Sequence, residues 1–186
     1  MRDIDDICLN VPEELTEAFE KAAAFLKVKG VRLKLVPFIY NSPTFGAIGI
    51  ANTKIDGVPV EEYCLGSYME NENTIYLAQL LPTHEDIIVF PNTWLIETML
   101  HEIRHVWQKK YHSDIYYEND NAIAAEEHFD DISEIDADAF AIAYEFFILG
   151  NKELSPSLQY MYMCDNGKRG KRLDEIVSEC GLTLKA

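Results

Sequence analysis

Two hydrophobic rhythms alternate along the chain. Over residues 11–29, "VPEELTEAFEKAAAFLKVK", the apolar positions Leu15, Phe19, Ala22, Ala23 and Leu26 recur at helical spacing. Pro12 suits a first helical position and Gly30 a stop, so a helix is predicted there. "VRLKLVPFIY" then alternates Val31, Leu33 and Leu35 with Arg32 and Lys34, the rhythm of a half-buried strand, and Pro37 marks its edge or bend. The runs "FGAIGIA", "VPVEEYCLG" and "NTIYLAQL" are short and strand-like. Turn chemistry at Asp56-Gly57 and at Asn71 to Asn73 separates them. Residues 31–81 are therefore expected to build a small, twisted, mostly antiparallel sheet.

Beyond Leu81 the helical rhythm returns. Pro91 and Asn92-Thr93 give a start signal for a helix over 93–111, with Ile96, Met99, Leu100, Ile103, Val106 and Trp107 as one stripe. Lys109 and Lys110 favour its C-terminal end. A second helix, 133–149, is predicted to begin near Ser133 with Asp136 in its first turn. Ala137, Phe140, Ala141, Tyr144, Phe147 and Ile148 form its apolar face, and Gly150 its stop. The tail, 155–186, reads as short helices around "DNGKRGKR", a basic cluster expected to be a solvated turn. No internal repeat, low-complexity segment or linker interrupts the pattern, so the expectation is one α+β domain over 1–186.

Bulk properties narrow the classes. A chain of 186 residues can bury one full core. A net charge of −16 argues against nucleic-acid and anionic-membrane partners, because phosphate would be repelled. No stretch reaches the ~18 apolar residues of a membrane helix. "MRDIDDICLN" lacks the apolar centre of a secretory signal. Cys8, Cys64, Cys164 and Cys180 contain no CxxC pair and read as buried thiols, outside any disulfide, in a reducing cytoplasm.

One stretch breaks the apolar logic. In "LIETMLHEIRHVWQKKYH", His101, Glu102 and His105 stand beside the stripe of the 93–111 helix. Residues four apart share a helix face, so His101 and His105 project together and can hold one metal ion. Glu102, one step round, sits where a base acting on metal-bound water should be; this is the HExxH arrangement. Unpartnered imidazoles would be poor packing groups there. Catalytic zinc usually takes three protein ligands. "SEIDADAFA" offers Glu134 as the third, with Asp136, Asp138, His128 and Asp131 as competitors. Asp138 shares a face with Glu134 and can accept the other ring N–H of a ligating histidine.

The HEIRH pentad followed by Glu134-Ile135-Asp136-Ala137-Asp138-Ala139-Phe140-Ala141 resembles the gluzincin metallopeptidases, in particular the small ImmA/IrrE-like proteins. There HExxH is followed by an E-x-x-A-N/D-x-F-A segment. "NENTIYLAQ" also resembles the strand preceding their metal helix. The likeness covers about residues 71 to 149. It implies a zincin-like fold and a cytoplasmic peptidase with one Zn2+ per chain, although a His2Glu set admits other divalent ions. Glu102 would be the general base, and His112, His128 and Tyr144 the candidate oxyanion donors. Strand residues Thr74, Ile75, Tyr76 and Leu77 would be the edge on which a protein or peptide substrate lies.

Two departures stand out. Asp138 occupies a position often asparagine, and Arg104 one often small. A cation at 104 would oppose a metal's charge unless it turns away or pairs with an acid. Between Lys110 and Lys152 there is no Lys or Arg, and Asp114 to Asp138 is dense in carboxylates. That segment reads as solvated acidic surface, with a preference for basic substrate segments as the alternative. The rival function is a metal-binding regulatory or protein-interaction module without turnover. A DNA-linked SprT-type protease would need a third histidine and a basic surface, neither of which is in evidence.

Overall fold

The structure is a computed structural model that describes residues 7–42, 47–114, 131–151 and 153–183. Their contacts sort into two compact units, Met1–Met99 and Leu100–Ala186. Among the described residues the architecture is α+β, with five α-helices and several small sheets.

In the first unit, α1 (Glu13–Phe25) begins after Pro12, which is extended at ψ 145° and lies just before the helix rather than at its first position. Its carbonyl accepts from Thr16 N at 3.0 Å. The helix ends at Phe25, short of Gly30, because Lys27 already turns left-handed at φ 57°. Leu15, Ala18 and Ala22 form its buried face.

Among the described residues eight strands follow: β1 (Arg32–Val36), β2 (Phe38–Ser42), β3 (Ala47–Ala51), β4 (Tyr63–Cys64), β5 (Gly66–Met69), β6 (Thr74–Ala78), β7 (Leu80–Pro82) and β8 (Ile87–Val89). They make three small sheets rather than one, ordered β1-β6-β5, β3-β2-β4 and β7-β8. Most pairings are antiparallel, as expected, but β1 runs parallel to β6 with Arg32 opposite Thr74 and Val36 opposite Ala78.

That order corrects the substrate-strand expectation. Thr74, Ile75, Tyr76 and Leu77 lie on the middle strand, hydrogen-bonded to β1 on one side and β5 on the other, and all are buried. A strand with both flanks taken has no row of N–H and C=O groups left for a peptide. Tyr76 directs its hydroxyl to Glu72 at 2.5 Å, and Val36, Ile39, Tyr76 and Ala78 form a core cluster beneath.

Helix α2 (Asn92–Tyr111) carries the predicted stripe, with Leu100, Ile103 and Val106 buried in the second unit's part of it. In that unit, α3 (Ile132–Tyr144) begins where Asp131, not Ser133, is the cap: its carboxylate accepts from Ser133 N at 2.8 Å. From Asp136 to Tyr144 every residue of α3 is buried, so this part of the helix is covered all round, while Ile132 in its first turn is exposed. It widens into a π-helical turn over Glu145–Leu149 and stops at Gly150, left-handed at φ 78°, as the sequence suggested. Then come α4 (Pro156–Cys164), capped by Ser155, and α5 (Lys168–Glu179), which packs along α3.

The basic cluster is not a solvated turn. It opens α5, and Arg169 within it is 1% exposed. Arg169, Arg172 and Ile176 fall on one face at helical spacing, and that face is turned inward while Lys168 and Lys171 remain exposed. All four cysteines are thiols, but none is buried as expected: Cys8 and Cys64 are half-buried, and Cys164 and Cys180 are exposed. Among the described residues no helix is long and apolar enough to cross a membrane.

Candidate metal centre

Helical spacing brings His101 and His105 side by side on α2, with ring centroids 4.6 Å apart. Glu134, in the first turn of α3, reaches both: its two carboxylate oxygens lie 3.1 Å from His101 Nε2 and 3.3 Å from His105 Nε2. The two Nε2 atoms are 2.9 Å from each other. Among the described residues these three side chains form the one group of His, Cys, Asp and Glu able to share an ion. Tetrahedral bonds of ~2.0–2.1 Å require ligand atoms about 3.3 Å apart, so the trio needs only a small opening to accept zinc. Side-chain exposures of 20%, 11% and 15% for His101, His105 and Glu134 leave a narrow approach from solvent.

Hydrogen bonding on the far side of each ring fixes where its proton sits. His101 Nδ1 is 2.7 Å from Asp138 Oδ1. A carboxylate only accepts, so Nδ1 carries the hydrogen. His105 Nδ1 is 2.8 Å from Gln108 Oε1. The orientation of that amide follows from its other contacts: Gln108 Nε2 donates to Ser133 O and to Asp136 Oδ2, each at 2.8 Å, and neither can donate. Its oxygen must therefore face His105, whose Nδ1 again holds the hydrogen. Both Nε2 atoms are left as lone-pair donors aimed at each other and at Glu134.

Three electron-rich groups at 2.9–3.3 Å repel unless a cation lies among them. Burial alone would lower the pKa of His101, but the Asp138 and Glu134 carboxylates overcome it and hold the ring well above its ordinary value. His105 is raised as well: burial opposes, and Glu134 wins, with a contribution from the nearby charge of Glu102. Burial would raise Glu134, yet the two histidines pull it well below the carboxylate range. Positive charge is therefore favoured among these three groups.

The other acids are committed elsewhere. Asp136 takes a two-pronged contact from Arg104, Nε to Oδ2 at 2.7 Å and Nη2 to Oδ1 at 3.0 Å, and a third donor from Arg172 Nε at 2.8 Å. Burial would raise this carboxyl, but Arg104, Gln108 and Arg172 bring its pKa down to about 2. Arg104 is thereby paired with an acid, with its guanidinium 3.6 Å from the Trp107 ring centre, and is 3% exposed. Its charge is matched within its own contact, the condition a nearby metal would demand. Asp131 is spent on the helix cap.

The sequence-derived set is partly assembled here. His101, His105, Glu134 and Asp138 come together; Glu102 is buried beside His105. Of the candidate oxyanion donors, His112 stacks on Trp107 at 4.4 Å. Tyr144 is 1% exposed, its pKa pushed up to about 12 by burial. His128 lies outside the described residues. Gln108, Arg169 and Arg172 were missed. For Gln108 a signal existed, since it stands three residues after His105 on the same helix face.

No protein-family model matches the chain, and no curated protein or solved structure shows a significant similarity to it.

Proposed function

We propose that the protein is a zinc-dependent peptidase of gluzincin type, resembling the ImmA/IrrE-like proteins, with His101 Nε2, His105 Nε2 and a Glu134 carboxylate oxygen as metal ligands. One observation carries the reading. Both imidazoles are locked as Nδ1–H tautomers, so their lone pairs and the Glu134 carboxylate converge on one point. Zinc held there would act as a Lewis acid toward a carbonyl and lower the pKa of water to ~7.

The chain's own groups do the remainder. Glu102, next to His101 on α2 and buried, takes a proton from the attacking water and delivers it to the leaving amine. Asp138 and Gln108 keep both rings from turning, so the ligand atoms stay aimed through the cycle. Glu134 contributes the single negative charge that leaves a His2Glu centre net positive and electrophilic. The succession of HExxH and E-x-x-A-D-x-F-A in one chain supports the same assignment.

The test is a peptide-library digest with the zinc content of each sample measured in parallel. The wild type is expected to cleave. Glu102→Gln is expected to retain zinc and lose cleavage by ~10²-fold or more. Undiminished cleavage by Glu102→Gln rejects the mechanism. Stoichiometric zinc with no cleavage by the wild type replaces the peptidase with a metal-binding regulatory module.

A further inference from the structure

Arg169 is a fully buried cation that the proposed chemistry does not use. It is the bulkiest of the side chains with under 2% exposure, and no substrate can reach it. Its Nε donates to Asp138 Oδ2 at 2.7 Å. The other oxygen of the same carboxylate, Oδ1, receives the His101 Nδ1–H at 2.7 Å. Arg169 is itself held from behind, its backbone N–H 2.5 Å and its Nη1 3.4 Å from Asp165 Oδ2. Asp165 in turn accepts from Gly167 N at 2.9 Å, so this acid is anchored at the turn leading into α5.

The order is therefore Asp165, Arg169, Asp138, His101 and then the point where the ligand atoms meet. A carboxylate held by one hydrogen bond can swing about its Cβ–Cγ bond. One held at both oxygens, by a ring and by a guanidinium, cannot. We infer that Arg169 is a positioning residue for the metal centre: from the C-terminal helix it fixes the Asp138 carboxylate, and through it the tautomer and angle of His101. The inference rests on the zinc reading for its functional meaning, while its geometric part stands on the hydrogen bonds alone. It makes α5 a working part of the site although no α5 side chain reaches the ion.

The experiment compares the full-length wild type with Arg169→Met, Arg169→Lys and Ile176→Ala. Ile176 is a 1% exposed packing residue of the same helix and has no part in the hydrogen-bonded chain, so it controls for loosened packing. Zn2+ affinity is read by competition with a chromophoric chelator, and the His101 Nδ1–H by 15N-edited NMR with and without zinc. Arg169→Met is expected to weaken zinc binding by ~10–100-fold and to lose the slowly exchanging Nδ1–H signal. Arg169→Lys, which keeps the charge but not the planar fork, should recover part of both, and Ile176→Ala should leave both near wild type. If Arg169→Met does not fold, Arg169→Lys carries the test, with a measurable loss of affinity expected.

Wild-type affinity and an unchanged Nδ1–H signal in the folded Arg169 variants overturn the inference and leave the zinc reading intact. Equal weakening by Ile176→Ala overturns it too, since loosened packing then explains the loss. A wild type that binds no zinc, with the Nδ1–H signal still lost in Arg169→Met, overturns the zinc reading and supports the positioning.

Discussion

The two histidines are backed by different chemistry. Behind His101 the links are ionic: the Asp138 carboxylate, the Arg169 guanidinium and the Asp165 carboxylate. Behind His105 the first link is a neutral amide, Gln108, and charge enters only beyond it, at Asp136 with Arg104 and Arg172. Both arrangements lock the same tautomer. They differ in what a broken link leaves behind. On the His101 side it strands a buried charge; on the His105 side it strands neutral groups and takes from Asp136 a donor that Arg104 and Arg172 outnumber, which costs less.

The largest effect should follow from Asp138→Ala. Arg169 then loses the partner on its Nε while remaining buried, and His101 loses its orienting acceptor. A loss of about 3–5 kcal/mol in urea unfolding of the metal-free protein is expected. A loss below about 1 kcal/mol would mean that Asp165 alone satisfies Arg169, and the contrast between the two sides would weaken.

The pH dependence probes the ionic part of the His105 side. The Asp136 carboxyl is held down at about 2 in the folded protein, below its ordinary 3.8. A depressed acid contributes stability that is fully present above the unfolded value. The contribution fades as pH falls below about 4 and is gone once pH passes below about 2. It amounts to about 2 kcal/mol at neutral pH. Acid unfolding of the metal-free wild type and Asp136→Asn should show a stability gap at neutral pH that narrows below pH ~4. A gap independent of pH between ~2 and ~6 would place the acid's contribution outside its ionisation.

The smallest effect is expected from Gln108→Met, which removes the amide at nearly constant volume. His105 Nδ1, Ser133 O and one Asp136 contact lose a partner, at a cost of about 1–2 kcal/mol. A cost matching that of Asp138→Ala would show that a neutral link matters as much as an ionic one.

These contrasts also explain what was legible in the chain. The helices were readable because apolar residues at 3.6 spacing had to face a core, and the histidine pair because four residues bring side chains back to one face. Glu134 was readable as one of several acids; only folding separates it from Asp131, Asp136 and Asp138, each of which finds another partner. Arg169 was not readable. A basic run in a polar tail looks solvated, and its burial depends on α3 presenting an acid to it from a distant part of the sequence. The sheets failed for a related reason. Strands of two to five residues carry too little pattern to name their neighbours, so the parallel pairing of β1 with β6, which makes the latter a central strand, could not be inferred.

Glu134 from one helix and His101 and His105 from another are proposed to hold the same ion. The direct measurement is elemental analysis of the wild type and Glu134→Ala after zinc loading and exhaustive dialysis. One zinc per wild-type chain and little or none in the variant are expected, with circular dichroism unchanged. Equal zinc in both proteins would contradict it.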